Sequence, residues 1–166
     1  MLLFIHMTRI PMLRATDFLG LKLEYPEAQY KERPTVYAIV FDEEKNVAAI
    51  RYKKFDRHPF PGGGIDKGES FEEALEREVL EEIGCKITDI TLVGMFDSWS
   101  NKNITHYPTR IYSANISGPK GVPTTIQEYE KDVDIEWLPL AEIVKGLGTD
   151  PSSLMIREII RLKKLA

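Results

Sequence analysis

Two runs of apolar residues near the middle of the chain predict β-strands. Residues 35–41 and 46–52 are rich in Val, Ile and Tyr, and the polar turn 42–45 separates them. Short runs of β-branched and aromatic residues bounded by turn residues are typical of strands. The segment 60–64 follows with three consecutive glycines, which let the backbone turn tightly or approach a ligand closely. We therefore expect two strands that lead into a glycine-rich segment.

The clearest helix signal in the sequence spans residues 70–84. Apolar residues recur there every four positions and form a stripe that can pack on a sheet: Phe71, Leu75, Val79 and Ile83. Ser70 is a good N-cap, and Glu73, three residues later, is its capping-box partner. Gly84 is a typical C-terminal stop. Both ends of this helix are thus predicted from local sequence.

The remainder of the chain mixes strands and helices without strict alternation. Strands are expected at 86–96, 109–116 and 134–138, followed by a short helix at 140–145 and a final helix from Pro151 to about Leu165, with Asp150 as its N-cap. This order predicts an α+β fold, or a mixed-sheet α/β/α sandwich. Residues 34–166 are expected to form a single domain. The irregular residues 1–33 are expected to be an N-terminal extension that covers the domain's own sheet or forms a homodimer contact.

The charge of the chain is concentrated in the predicted helix. The 166 residues include 26 acids and 22 bases, which give a net charge of −4. Seven acids and one base lie between Glu69 and Glu82, so this window carries −6 and the other residues together carry +2. An acidic balance disfavours nucleic-acid binding, which usually needs a basic face. We therefore expect no nucleic-acid partner, and we look for the function in the acidic helix.

Cysteine content and hydropathy predict a cytoplasmic protein. Cys85 is the only cysteine, which excludes a disulfide scaffold and favours a reducing compartment. The apolar run 2–5 is far too short to span a bilayer or to act as the core of a signal peptide, so no membrane partner is expected.

Three glutamates of the acidic helix, Glu78, Glu81 and Glu82, share one side at i, i+3 and i+4. Carboxylates at this density repel one another and suit a hard cation such as Mg²⁺ or Mn²⁺. The alternative is an ordinary solvated face, although the helix has almost no Lys to support it. Arg77 lies four residues before Glu81, so a simple i,i+4 ion pair is the alternative to a role for it in the site.

The spacing around these glutamates matches a complete motif. The pattern G-x5-E-x7-R-E-U-x-E-E-x-G-U, with U an apolar residue, is satisfied by Gly63, Glu69, Arg77, Glu78, Val79, Glu81, Glu82, Gly84 and Cys85. This segment resembles the Nudix box of the Nudix hydrolase family. The preceding Phe60-Pro61-Gly62-Gly63 is similar to the usual entry to that box.

The resemblance implies metal-dependent hydrolysis of a nucleoside diphosphate linked to another moiety, by water attack at phosphorus. It implies that Glu78, Glu81 and Glu82 bind Mg²⁺ or Mn²⁺ and activate water, with the identity of the general base left open. Glu69 and Arg77 would form a pair that fixes the loop against the helix, and Gly63 would shape that loop at the substrate.

Further candidates lie outside the box. Family members often recruit another acid from a loop before a late strand that carries a Trp, which makes Glu130 our choice of an additional metal ligand among Glu128, Glu130 and Asp132. Arg51 and Lys53 are expected to bind substrate phosphates, with a solvated strand end as the alternative. Trp99 and Tyr107 flank the polar stretch 98–106, which is long enough to be a substrate loop. Either ring could stack on a base, and Trp99 is our choice; plain packing is the alternative.

The expected substrate class rests on the absence of the sequence markers that distinguish other Nudix subfamilies. Ser100 stands where the ADP-ribose type carries a proline, and the markers of the dinucleoside polyphosphate and coenzyme A types are incomplete. A nucleotide-type small molecule is expected, with a nucleoside triphosphate or modified nucleotide favoured, as in the MutT group. An inactive nucleotide-binding or regulatory module, and an acidic helix that docks a basic partner, are the alternatives.

Overall fold

The computed structural model describes residues 9–52, 59–124 and 133–166. The strands are β1 (Met12–Arg14), β2 (Lys31–Glu32), β3 (Thr35–Phe41), β4 (Val47–Tyr52), β5 (Gly62–Gly64), β6 (Ile87–Ser100), β7 (Thr105–Ile116) and β8 (Val133–Leu138). The α-helices are α1 (Ala15–Phe18), α2 (Phe71–Ile83), α3 (Leu140–Gly146) and α4 (Pro151–Leu162), and a 3₁₀ turn spans Glu27–Gln29.

The strands that the structure describes form one mixed sheet in the order β1-β6-β7-β3-β4-β8. β3 and β7 are parallel, and β6–β7 and β4–β8 are antiparallel. β3 and β4 pair only next to their turn, at Phe41 and Val47. The glycine strand β5 pairs with the other end of β3, so the sheet opens there and admits the segment that leads into α2.

Two hydrophobic clusters, one on each face of the sheet, establish the three-layer sandwich. On one face, Leu75, Val79 and Ile83 of α2 pack against Val36, Ala38 and Val40 of β3. On the other face, α3 and α4 contribute Ile143, Met155, Ile156, Ile159 and Ile160 to a cluster that includes Ile39. Successive residues of β3 thus point to opposite helical layers, as a strand buried on both faces requires. The predicted α/β/α architecture is confirmed.

The described part of the predicted extension pairs with the sheet. β1 runs parallel to β6 at the sheet edge, and β2 runs parallel to the start of β7. Ala15 of α1 is fully buried in the cluster that includes α4. Residues 9–33 therefore cover the domain's own sheet, which was one of the two expected roles. The homodimer contact stays a prediction.

The expected substrate loop at 98–106 was wrong. Residues 98–100 continue β6, and residues 105–106 begin β7, so only 101–104 form a turn. The two strands extend beyond their predicted bounds because Ser98, Trp99 and Ser100 pair with Tyr107, His106 and Thr105. Polar side chains suggested a loop, but the long antiparallel ladder supplies the backbone hydrogen bonds that hold these residues in strands. The final helix ends at Leu162 rather than near Leu165.

Candidate active site

Capping interactions fix both ends of α2, the helix that carries the box glutamates. The Ser70 side chain accepts a hydrogen bond from the Glu73 backbone N–H at 3.2 Å, and the Glu73 carboxylate accepts one from the Ser70 N–H at 2.8 Å. At the other end, Gly84 adopts a left-handed conformation with φ of 67°. A capping box and a left-handed glycine satisfy backbone groups that a helix end leaves without partners. Both predicted ends of the helix are confirmed.

Two of the box glutamates lie against the glycine strand β5. The Glu82 Oε2 atom accepts a hydrogen bond from the Gly62 N–H at 2.8 Å. The Glu78 carboxylate lies beside Gly63 so closely that a Cβ atom on Gly63 would stand 2.4 Å from Glu78 Oε1. A side chain at position 63 would therefore collide with a site carboxylate. The structure brings Gly63, Glu78 and Glu82 together as the motif predicted.

Arg77 ties the helix to the residues before it. Its guanidinium donates from Nε and Nη2 to the two oxygens of Glu69, at 2.8 and 2.9 Å, and from Nη2 to the Gly64 carbonyl at 3.0 Å. Nη1 donates to Glu78 at 2.8 Å, whereas Glu81 stands 3.5 Å away. The i,i+4 pair with Glu81 is thus a secondary contact. The principal one is the two-pronged Glu69 pair, a geometry that Arg forms and Lys does not.

The carboxylates of the site differ in their electrostatic surroundings. Hydrogen bonds from the Arg77 guanidinium hold the pKa of Glu69 below its ordinary value. Burial raises the pKa of Glu78 above its ordinary value, and the charges of Glu81 and Glu69 act in the same direction, although Arg77 opposes them. Glu78 is therefore a carboxylate whose charge is only partly balanced by the protein, which is the condition in which a cation is attracted.

The donor set of the site suits a hard divalent cation. Glu78 and Glu82 meet at β5, and Glu81 lies one helical turn from Arg77 on the more exposed side. In the part of the chain that the structure describes, no three His, Cys, Asp or Glu side chains already stand at metal-ligating spacing. Carboxylate oxygens are nevertheless the ligands that Mg²⁺ and Mn²⁺ prefer, and the three glutamates present them on one side of the helix. The glutamate side chains would have to change conformation to bind one ion together.

A cleft of ≈ 380 Å³ lies on the face of the sheet that carries α4, and no box glutamate is among its lining residues. Its lining combines aromatic and polar groups: Tyr37, Tyr52, Pro59, Phe60, Leu147, Gly148, Asp150, Ser152, Ser153 and Ile156. Tyr37 connects the cleft to the site, since it pairs with Gly62 in the sheet. Burial raises the pKa of Tyr37, and the negative charges of Asp150 and Glu82 raise it further. The Tyr37 side chain thus lies within electrostatic reach of both carboxylates.

The predicted substrate-binding residues fall in different places. Arg51 pairs with Glu136 of β8 at 2.9 Å, and its neighbour Tyr52, rather than Arg51 itself, lines the cleft. Trp99 is only 5% exposed, and its ring stacks on His106 with centroids 4.7 Å apart. It borders a second cleft of ≈ 310 Å³ that shares Tyr37 with the first. Lys53 and Glu130, with Glu128 and Asp132, lie outside the described residues.

Sequence reasoning missed Tyr37, Tyr52 and Asp150 as lining residues of the cleft. Tyr37 and Tyr52 were assigned only to strands, and Asp150 only to a helix N-cap, which it is: its carboxylate accepts from Ser153 N at 3.1 Å and from Ser153 Oγ at 2.7 Å. One signal could have identified Tyr37 as a lining residue: it is an aromatic residue near the start of a strand that is soon followed by the glycine segment. The position of α4 across the sheet, which closes the cleft, has no signal in local sequence.

Comparison with known proteins identifies the class to which this fold and site belong. The NUDIX domain family matches residues 31–158, which is most of the chain, and the chain belongs to that family. A curated relative, the RNA pyrophosphohydrolase of Sulfurovum sp., is 40% identical over 72 residues, which are 40% of this chain and 45% of that protein. The RNA pyrophosphohydrolase of Aeromonas hydrophila is 36% identical over 69 residues, 40% of this chain and 38% of that protein. The chain thus matches less than half the length of either relative.

Solved structures share the fold over a larger part of the chain. A MutT structure from work on Aliivibrio salmonicida and Vibrio cholerae superposes with a TM-score of 0.60, at 18% identity, over 82% of this chain and 100% of that one. A MutT NUDIX hydrolase from Burkholderia pseudomallei gives a TM-score of 0.60 at 24% identity, over 78% of this chain and 98% of that one. At these identities the likeness concerns the fold.

Proposed function

We propose that this protein hydrolyses the pyrophosphate linkage of a nucleoside diphosphate derivative in a reaction that depends on Mg²⁺ or Mn²⁺. The observation that carries the proposal is the arrangement of Glu78 and Glu82 on the glycine strand β5, braced by the Arg77–Glu69 pair. A cleft with aromatic walls lies next to this strand, because Tyr37, which pairs with Gly62, lines it. A cleft of this kind next to convergent polar groups is the usual form of a small-molecule site.

In the proposed mechanism each group has a separate task. Glu78, Glu81 and Glu82 would hold the metal ion, and one of these carboxylates would accept the proton of the attacking water. The ion would supply charge neutralisation at the phosphate oxygens and make the attacking water more acidic. Arg77 keeps α2 and β5 at a fixed separation, and Gly63 leaves room for the Glu78 carboxylate against β5. Aromatic groups of the cleft receive the nucleoside.

A substrate panel tests this proposal. Purified protein is incubated with nucleoside triphosphates, oxidised and methylated nucleotides, ADP-ribose, dinucleoside polyphosphates and coenzyme A, each in Mg²⁺, Mn²⁺ and EDTA. We expect turnover of at least one phosphoanhydride, lost in EDTA, with nucleoside triphosphates or modified nucleotides favoured. Binding of nucleotides without any turnover in either metal would instead support the inactive binding module.

RNA with a 5′-triphosphate is a second candidate substrate. Relatives that match 40% of this chain are named RNA pyrophosphohydrolases, which favours this substrate against the sequence expectation of no nucleic-acid partner. A short 5′-triphosphorylated RNA and a nucleoside triphosphate with the same base should be compared in one assay. Higher kcat/KM on the RNA would assign the second candidate, and the reverse would assign the mononucleotide.

We also propose a cytoplasmic setting, supported by the buried Cys85, which forms no disulfide. Within the described residues no helix is long and apolar enough to cross a membrane.

Metal binding should stabilise the apo protein. A ligand that binds only the folded state, at a hundred times its dissociation constant, adds about 2.7 kcal/mol to the free energy of unfolding. For a chain of this length that corresponds to a rise in Tm of roughly 5 °C or more. Differential scanning calorimetry in EDTA and in millimolar Mg²⁺ measures the shift. An unchanged Tm in both Mg²⁺ and Mn²⁺ would argue against the glutamate metal site.

Asp150 should influence which nucleoside is preferred. Its carboxylate lines the cleft and can only accept hydrogen bonds, so it favours a base whose edge donates one. Asp150→Asn keeps a good N-cap for α4 but replaces one acceptor with a donor. We expect kcat/KM for the preferred nucleotide to fall about tenfold relative to the other bases, with Tm nearly unchanged. Asp17→Asn on the exposed side of α1 is the control, and an equal loss for every nucleotide would count against this role.

A further inference from the structure

The segment 118–124, which we call the strap, lies directly against the C-terminal end of α2. A Cβ atom on Gly121 would stand 1.9 Å from the Gly84 carbonyl oxygen, and one on Gly84 would stand 2.1 Å from the Val122 carbonyl oxygen. Each glycine therefore allows the backbone of the other segment to approach. Because the obstructing atoms are backbone, a side chain at either position would have to displace the strap or the helix end.

Hydrogen bonds from Thr124 hold the strap on the last turn of the helix. The Thr124 N–H donates to the Glu81 carbonyl at 2.9 Å, and the Thr124 hydroxyl donates to the Leu80 carbonyl at 3.5 Å. The last four carbonyls of a helix lack partners within it, and such ends fray when nothing satisfies them. The strap supplies partners at the turn that carries Glu81 and Glu82.

A second contact anchors the strap to the opposite part of the sheet. Lys120 donates to the buried Asp42 carboxylate at 2.6 Å and lies 4.4 Å from the centroid of the Trp137 ring. Asp42 is itself fixed, since it accepts hydrogen bonds from the backbone N–H groups of Glu44 and Asn46 in the β3–β4 turn. The strap is thus tied to the sheet at one end and to the helix at the other.

We propose that the strap positions the last turn of α2 for metal binding, with Gly121 and Thr124 as positioning residues. The inference rests on the proposed function, because it assigns the strap a role in presenting Glu81 and Glu82. Neither residue touches the substrate; each acts through the backbone of the helix end. Fixing this turn restricts the backbone that carries two mutually repelling carboxylates, which lowers the conformational entropy lost on cation binding.

The test uses Gly121→Ala and Thr124→Pro in the full chain. Gly121→Ala forces the strap away from Gly84, whereas Thr124→Pro removes the N–H that binds the Glu81 carbonyl. Val122→Ala is the matched control in the same segment, since that side chain is 78% exposed. Hydrogen–deuterium exchange of apo protein reports the amides of 81–85 and of 71–76 separately, and calorimetry reports the Mg²⁺-induced shift in Tm.

We expect exchange at 81–85 to rise about tenfold in both variants while 71–76 stays protected, because the opening is local. We also expect the Mg²⁺-induced shift in Tm to fall below half of its wild-type value, and kcat to fall more than the KM for substrate rises. Val122→Ala should change none of these. A lower Tm with equal exchange at both helix ends and an intact Mg²⁺ shift would overturn the positioning role. If the wild-type protein shows neither turnover nor a shift, the proposed function fails, and exchange alone then decides whether the strap fixes the helix end.

Discussion

Replacing Glu82 with Gln is expected to lower turnover by about a hundredfold or more without unfolding the protein. The change removes one negative charge from the proposed metal site and removes a candidate base, and general-base catalysis alone commonly contributes this much. Gln keeps a carbonyl oxygen that can accept the hydrogen bond from the Gly62 N–H, so β5 should remain in place. Steady-state kinetics at saturating Mg²⁺ and a thermal melt in EDTA measure the two quantities separately.

Glu76→Gln is the matched control for that substitution. Glu76 belongs to the same helix, and the charge change is identical, but its side chain is exposed and it occupies an unspecified position of the Nudix motif. We expect Glu76→Gln to retain turnover within about twofold, as surface substitutions usually do. Similar losses in the two variants would show that the effect comes from the helix's overall charge. Full activity of Glu82→Gln would remove Glu82 from the site.

Replacing Arg77 with Met is expected to lower the free energy of unfolding by about 2 kcal/mol and to abolish most activity. Arg77 is 26% exposed and is the partner of Glu69, Glu78 and the Gly64 carbonyl, which would all lose it at once. Leaving charged, partly buried acceptors without their donor is costly, although solvent access reduces the penalty relative to a fully buried pair. Urea unfolding at pH 7 measures the difference from wild type.

Arg161→Met is the control, because Arg161 also donates two hydrogen bonds to one glutamate, Glu158, but is 68% exposed. We expect that substitution to leave the free energy of unfolding nearly unchanged, as exposed ion pairs usually do. The Arg77 effect should also depend on pH. Glu69 has a lowered pKa in the folded protein, so its stabilisation is present above the ordinary Glu pKa, about 4.3, and is lost as the pH falls through the lowered value. A cost for Arg77→Met that is unchanged at pH 3 would contradict this account.

The elements that the sequence predicted best are those specified by neighbouring residues. The limits of α2 follow from Ser70, Glu73 and Gly84, which act within a single turn of each helix end. β3 has its predicted bounds because its apolar run ends at a polar turn that is also a turn in the structure. The box residues came together at the predicted place because one helix and one adjoining strand carry them all.

The features that were missed depend on distant parts of the chain. The polar residues of 98–106 lie in strands because β6 and β7 pair along their whole length, and that pairing outweighs local composition. The cleft that Tyr37 lines exists because α4 crosses the sheet near it, which brings Asp150 within reach of a strand more than a hundred residues earlier. Phosphate binding by Arg51, expected from its charge and its position on the strand, stays a prediction; its pairing with Glu136 of β8 had no signal in local sequence. Long-range pairing of this kind has no signature within a short window of sequence.

The most direct test of the central claim is the position of solvent oxygen in the products. The preferred substrate is hydrolysed with Mg²⁺ in water enriched in ¹⁸O, and the masses of the products are measured by mass spectrometry. Water attack at phosphorus predicts one ¹⁸O atom in one of the two phosphate products for each bond broken, with no label at carbon and no turnover in EDTA. Turnover that leaves both phosphate products unlabelled, or that continues unchanged in EDTA, would contradict the proposed chemistry.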